Sequence, residues 1–174
     1  MSEFRSVLIL IALLLAAGCT RQPSPPNHGS DLGAVRTAAV RSLFDSMRNG
    51  AYTTPVFPEL TWDHIPALLA LADSRQTLIS FPHNPLSSQS QSTCSEGMVA
   101  LWLVEGIRKG GQFASLNPLC FGNAAKEEPW TTASERNHDP VLTAYRTWWT
   151  KVSGLTKDRG AAMNPLEGTG LHWH

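Results

Sequence analysis

The chain has 174 residues, enough for one domain of ordinary size with a buried core. Its 14 Lys and Arg residues balance its 14 Asp and Glu residues, so we expect no nucleic-acid partner and no tight electrostatic docking on anionic lipid. Only 16% of the residues are charged and 6 are Trp, a composition typical of globular rather than disordered proteins.

An apolar run near the amino terminus predicts a targeting segment. Residues 7–17 are uninterruptedly apolar, and Arg5 places a positive charge before them. The run is shorter than the about 20 helical residues that cross a bilayer, but it has the length of a signal-peptide core. We therefore interpret residues 1–18 as a cleaved signal peptide.

The end of this segment resembles the lipobox of bacterial lipoproteins, in the stretch Leu15-Ala16-Ala17-Gly18-Cys19. The resemblance implies cleavage before Cys19, a diacylglycerol on its sulfur and an acyl chain on its new amino group. Three acyl chains anchor a protein far more firmly than one. Thr20, rather than Asp, at the second mature position favours the outer membrane by the same resemblance. An ordinary secretory signal with an unmodified Cys19 is the alternative.

Residues 19–30 are rich in Pro, Ser and Gly and show no apolar periodicity. This composition predicts a flexible spacer between the lipid and the folded part. Residues 31–174 are expected to form a single mainly α domain, a compact bundle of about four helices with long irregular connections.

The first two helices are predicted from caps and apolar spacing. Asp31 is the expected N-cap of the first helix, which ends at Asn49-Gly50. Asp63 is the expected cap of the second helix, which ends near Asp73. The apolar faces contain Val35, Ala39, Leu43, Phe44 and Met47 in the first helix, and Ile65, Leu68, Leu69 and Leu71 in the second.

The third helix has the clearest sequence signals. Thr93 and Glu96 fit a capping box at its start, and Gly110-Gly111 would end it. Residues 98–104 are apolar on every side, which predicts the buried centre of the domain. Residues 78–81, between the second and third helices, could form a short strand or an extended segment.

The last helix is predicted to begin with Asp139 as N-cap and Pro140 at the first helical position, and to end at Gly154. Its buried stripe would contain Val141, Leu142, Tyr145, Trp148, Trp149 and Val152. The tail that follows ends in an aromatic segment, so we expect it to pack back on the domain.

Asn-Pro-Leu occurs at Asn84, Asn117 and Asn164, which predicts three similar turns.

Two cysteines remain once Cys19 is assigned to the lipid. In an oxidising periplasm such cysteines most often pair, so Cys94 and Cys120 are predicted to form a disulfide. The bond would close a loop of about 25 residues and stabilise the domain by about 3 kcal/mol in the chain-entropy interpretation.

The alternative for Cys94 is a nucleophile, since thiols at helix N-termini have a lowered pKa. Cys94-Ser95-Glu96-Gly97 resembles the catalytic start of cell-wall cysteine peptidases of the NlpC/P60 type, with His138 and Asp139 as the nearest downstream partners. That family places its His on a sheet, whereas residues 121–174 show no convincing strand pattern. Asp139 is also expected to be a helix cap.

Other constellations have ordinary structural explanations. His172 and His174 form an HxH pattern, but no third ligand is suggested, so we expect no metal site. Trp148 and Trp149 could form a ligand platform, although their spacing favours packing. Glu105 is expected to pair with Arg108. No phosphate loop or cofactor motif is present in the sequence, so no cofactor is expected.

Five stretches together resemble an uncharacterised family of bacterial envelope proteins, a domain of unknown function. They are residues 81–88, 94–97, 100–108, 115–120 and 164–173. The resemblance spans roughly residues 60–174 and implies a helical domain without known catalytic residues.

The sequence therefore favours a lipid-anchored envelope protein that is a non-catalytic binding or interaction module. Its expected partners are the membrane, through the lipid, and an envelope protein or peptidoglycan. The alternative is a cell-wall cysteine peptidase or amidase that uses Cys94, with His138 and Asp139.

Overall fold

The structure, a computed structural model, describes residues 28–54, 56–87, 93–122 and 130–174. The predicted signal peptide, Cys19 and most of the predicted spacer lie outside these residues. The fold is mainly helical, as predicted, with two small two-stranded sheets and long connections. No helix within the described ranges is long and apolar enough to cross a membrane.

Five α-helices and four short strands make up the described chain. The helices are α1 (His28–Arg48), α2 (Ile65–Leu71), α3 (Glu96–Arg108), α4 (Trp130–Val152) and α5 (Lys157–Ala162). The strands are β1 (Thr77–Leu78), β2 (Cys94–Ser95), β3 (Cys120–Gly122) and β4 (Leu171–Trp173). A 3₁₀ turn, Trp62–His64, leads directly into α2.

Helix α1 begins before the predicted cap, and only the carboxyl-terminal part of its predicted apolar face is buried. Asp31 lies in its first turn rather than at its start. Val35 is 64% exposed and Ala39 is also exposed, whereas Val40, Phe44 and Met47 are fully buried. The prediction for Val35 and Ala39 was therefore wrong, because the domain covers α1 only from Val40 onward. Gly50, with φ of 70°, follows the helix as predicted.

Helix α2 starts at a 3₁₀ turn instead of at an Asp63 cap. The Thr61 backbone N–H donates to Nδ1 of His64 over 3.0 Å. Asp63 lies inside the turn, and its carboxylate pairs with Arg36 of α1 at 2.7 Å. Ile65 and Leu68 are fully buried against the core, as the apolar spacing predicted.

Helix α3 is the buried centre, as predicted: every residue from Glu96 to Ile107 is buried. Its cap differs from the prediction. The Ser95 hydroxyl accepts the Met98 N–H at 3.4 Å, while Thr93 is exposed. The Glu96 carboxylate bonds with Arg48 of α1 instead of turning back to the cap. Because Ser95 is the cap, Glu96 is the first helical residue rather than the third, so its side chain is not placed for a capping box.

Helix α4 begins at Trp130, so the predicted start at Asp139 was wrong and Pro140 lies inside the helix. The Asp-Pro pair resembled a helix start, but the turns before it are held by β3. The Ser134 hydroxyl accepts from the Cys120 N–H at 3.3 Å, and the Asn137 amide donates to the Cys120 carbonyl at 3.0 Å. These tertiary bonds extend the helix beyond what the local sequence indicates.

The two sheets fix the segments on either side of α3. Strands β1 and β2 are antiparallel with Leu78 opposite Cys94, so the predicted extended segment at 78–81 is a strand only at its first residue. Strands β3 and β4 are antiparallel with Cys120 opposite Trp173. The His174 N–H also donates to the Leu119 carbonyl at 3.0 Å. The tail packs back on the domain, as predicted, and does so as a strand.

The three Asn-Pro-Leu turns are similar only in part. The Asn84 and Asn164 side-chain oxygens accept the backbone N–H two residues ahead, from Leu86 at 3.0 Å and Leu166 at 3.1 Å. Asn117 differs, since its side-chain oxygen accepts from the Ser87 hydroxyl at 3.1 Å. Two of the three sites thus form the same Asx turn.

The position of the α3 cap can be tested by substitution. Ser95→Ala should lower the free energy of unfolding by about 1 kcal/mol, because it removes the side-chain acceptor for the Met98 N–H. Thr93→Ala, the matched control, should change it by less than about 0.5 kcal/mol, since Thr93 is exposed. Urea denaturation of the folded domain measures both values. A larger loss for Thr93→Ala than for Ser95→Ala would contradict this assignment.

Candidate functional site

The two cysteines expected to form a disulfide are both free and buried. Cys94 lies in β2 beside Leu78, whereas Cys120 lies in β3 beside Trp173, so they belong to different sheets. The Cys94 thiol donates to the Pro118 carbonyl over 3.7 Å. The predicted Cys94–Cys120 disulfide is therefore corrected: the structure contains two separate thiols.

The environment of these two thiols disfavours the thiolate form that a nucleophile requires. Burial raises the pKa of Cys94 to about 12 and the pKa of Cys120 to about 12. Cys94 also lies one residue before the Ser95 cap, so it is not at the first helical amides. A catalytic thiol needs a lowered pKa and access to substrate. At neutral pH both side chains are expected to stay protonated.

His138 has a structural role at the junction of α2, α3 and α4. It is 1% exposed, and Nε2 lies 2.7 Å from the carbonyl oxygen of Ala72, to which it must donate. Gly97 gives the ring room, because a Cβ there would lie 2.6 Å from it. Nδ1 has no hydrogen-bond partner within the described part of the chain. Burial lowers the pKa of His138, which favours the neutral ring.

Asp139 lies at the surface and pairs with Arg75. Cys94, His138 and Asp139 thus bond to Pro118, Ala72 and Arg75 respectively, not to one another. A cavity of about 270 Å³ does adjoin Cys94, but its walls on α4 are Ser134 and Glu135 rather than His138. The structure does not assemble the predicted catalytic trio.

A pH-dependent stability follows from the buried, neutral His138. Below the ordinary histidine pKa of about 6.5, the unfolded chain binds a proton that folded His138 binds less readily. The free energy of unfolding should therefore fall as the pH decreases from about 7 to about 5. His138→Gln keeps a donor for the Ala72 carbonyl and should reduce this fall.

Urea denaturation across that pH range measures the effect. His172→Gln is the matched control, since it removes an imidazole that is exposed rather than buried. An equal slope in His138→Gln and in the unmodified protein would show that this ring does not titrate as described.

Glu105 is the centre of a buried hydrogen-bond network. Arg108 donates to both of its carboxylate oxygens, at 2.8 and 2.6 Å, which confirms the expected pair. The Tyr145 hydroxyl donates to the same carboxylate at 2.7 Å and accepts from the Trp173 indole at 2.9 Å. Burial raises the pKa of Tyr145 well above its usual range. These groups connect α3, α4 and β4, and their polar atoms are engaged.

The two histidines of the HxH pattern lie at the end of the tail strand in different surroundings. His172 is exposed on β4, and His174 packs edge-on against Phe121 at a centroid distance of 5.4 Å. No group of three or more His, Cys, Asp or Glu side chains suited to a metal occurs in the segments that the structure describes.

The Trp pair belongs to an aromatic cluster. Trp148 is 4% exposed, and its indole N–H donates to the Gly160 carbonyl at 3.2 Å. Trp62 contacts both Trp148 and Trp149, with ring centroids 5.5 and 5.4 Å apart. The two Trp residues are thus mainly packing residues, as their spacing indicated.

A groove beside this cluster was not recognised from the sequence. It has a volume of about 480 Å³ and lies between the outer face of α4 and the turn over residues 163–169. Ala144, Thr147, Trp148 and Lys151 form the α4 wall. Their spacing of three, four and seven residues places them on one face of a helix, which the sequence alone could have shown. That face is recognisable as a groove wall only when the tail is seen to pack against it.

The groove combines apolar and polar surface. Trp148, Met163 and Pro165 supply the apolar part, while Lys151 and Glu167 bring opposite charges from the two walls. Neither charge is in an ion pair with the part of the chain described here.

Comparison with known proteins supplies a family but no activity. A family model described as a domain of unknown function (DUF4943) matches residues 35–174. No curated protein and no solved structure shows significant similarity to the chain.

Proposed function

The chain belongs to the DUF4943 family, and we propose that this member is a lipid-anchored bacterial envelope protein that acts as a non-catalytic binding module. The observation that carries the binding role is the groove of about 480 Å³ between α4 and residues 163–169. Its volume is within the roughly 300–1,000 Å³ of typical ligand sites. Its walls present Lys151 and Glu167, which form no ion pair with the described residues, next to apolar surface.

The states of the catalytic candidates support a non-catalytic role. Cys94 is a buried thiol with a pKa raised to about 12. His138 donates to the backbone carbonyl of Ala72, directly after α2. A cysteine peptidase needs a thiolate and a base within hydrogen-bond reach. The described contacts provide neither, so the alternative of a cell-wall peptidase or amidase is not favoured.

The envelope location is proposed from the sequence before the described domain. The apolar run at residues 7–17 and the lipobox-like stretch ending at Cys19 support lipid attachment. The membrane would then be the first partner, through the lipid. An envelope protein or peptidoglycan would be the partner of the folded domain, on the outer membrane if Thr20 directs sorting as proposed.

The anchor can be tested with Cys19→Ala. The variant should move from the membrane fraction to the soluble fraction, because the apolar run alone is too short to hold the chain in a bilayer. Cys120→Ser, which leaves the proposed lipid site intact, is the matched control and should remain in the membrane fraction. If Cys19→Ala stays in a salt-washed membrane pellet as fully as the control, the lipid anchor is refuted.

The absence of thiol catalysis can be tested by labelling. Cys94 in the folded protein should react with a thiol reagent at neutral pH far more slowly than after unfolding in urea, because it is buried and protonated. Mass spectrometry of the labelled peptide measures the rate. Rapid labelling in the folded state, together with peptidoglycan cleavage lost in Cys94→Ser, would establish the peptidase instead.

A further inference from the structure

We infer that the groove between α4 and residues 163–169 binds a short peptide that has a free amino group and a free carboxylate. The inference rests on the proposed binding function and names the ligand class for its groove. It follows from three features of the site. Its two walls are held by hydrogen bonds, the walls carry opposite charges, and the surface between the charges has both apolar side chains and hydrogen-bonding groups.

Both walls of the groove are held in place without a ligand. The α4 wall is fixed by buried Trp148, whose indole donates to the Gly160 carbonyl. The opposite wall is fixed by the Asx turn of Asn164 and by buried Leu166. The Thr169 hydroxyl strengthens that turn, since it donates to the Leu166 carbonyl at 2.7 Å and accepts the Leu171 N–H at 3.0 Å. Such preformed walls lower the entropic cost of binding.

The charges favour a ligand that carries both signs. Lys151, on α4, offers an ammonium group to a carboxylate, and Glu167, on the turn, offers a carboxylate to an amine. A purely anionic ligand would face Glu167, and a purely cationic ligand would face Lys151. A zwitterion satisfies both walls at once, which is the arrangement that electrostatic complementarity favours.

The surface between the charges suits a peptide backbone and small side chains. Thr147 and Asn164 line the groove, and hydroxyl and side-chain amide groups can bond to peptide carbonyl and N–H groups. Met163, which is 42% exposed, and Pro165 provide apolar surface for side chains. A peptide therefore fits the whole lining, whereas a free ion or a hydrocarbon fits only part of it.

The probe is trialanine, which has both charged ends and small side chains. N-acetyl-trialanine retains only the carboxylate, and trialanine amide retains only the amine. Each is titrated into the isotope-labelled chain, with the Trp148 indole N–H and the amides of residues 144–151 and 163–169 observed by NMR. Trialanine should shift these signals at lower concentration than either capped peptide, by about three- to five-fold for each lost end group.

Matched variants assign each end of the peptide. Lys151→Gln should bind trialanine and trialanine amide equally, because the carboxylate has lost its partner. Glu167→Gln should bind trialanine and N-acetyl-trialanine equally. Lys157→Gln removes a nearby exposed charge that does not line the groove, and it should retain the full preference for trialanine. Thermal unfolding checks that all three variants are folded.

Two outcomes would overturn the inference. One is the absence of shifts at residues 144–151 and 163–169 with trialanine at millimolar concentration. The other is a preference for trialanine that Lys151→Gln and Glu167→Gln leave unchanged. Membrane release of Cys19→Ala and slow labelling of Cys94 test the anchor and the non-catalytic role separately, so a failure of the peptide inference leaves both of those proposals standing.

Discussion

The burial of α3 on all sides is the constraint on which the rest of the structure depends. Its two carboxylates, Glu96 near the first turn and Glu105 near the last, are each 3% exposed. Removing the partner of a buried charge costs about 3–5 kcal/mol, so the elements that supply the partners must stay in place. Arg48 of α1 bonds with Glu96 at 2.5 Å, and Arg108 with Glu105 at 2.6 Å. Glu96 thereby positions α1, while Glu105 positions α4 through the Tyr145 hydroxyl, which donates to it at 2.7 Å.

The Glu105 network also ties the tail to α4. The Trp173 indole of β4 donates to the Tyr145 hydroxyl of α4, which in turn donates to Glu105, so the tail cannot move away from α4 without breaking these hydrogen bonds. Residues 163–169 lie between these fixed points and form one wall of the groove. Packing that stabilises the core therefore shapes the surface proposed to bind the peptide.

Local sequence rules predicted the features that depend on one segment alone. The apolar content of residues 98–104 indicated a buried helix, and the Glu105–Arg108 spacing indicated their ion pair; both are confirmed. Features that depend on distant partners were missed. Glu96 pairs with Arg48 across 48 residues, a partner that its local sequence does not indicate. Ser134 and Asn137 bond to Cys120, which extends α4 past its apparent start.

The candidate site likewise has features that local sequence indicates and features that only the fold shows. The sequence identified reactive residue types at Cys94 and His138 but could not show that packing would bury one and bond the other to Ala72. The spacing along α4 was visible, but the opposite wall comes from a segment that follows α5. A groove made by two separate segments has no local pattern, so only the fold reveals it.

The first half of α1 extends beyond the core and separates the start of the helix from it. From His28 to Val40 the helix rises by about 1.5 Å per residue, a stand-off of about 18 Å before the core begins. Arg36 pairs with Asp63 of the 3₁₀ turn at 2.7 Å, which links this half of the helix to the domain. The chain before His28 therefore joins the domain about 18 Å from the start of its core.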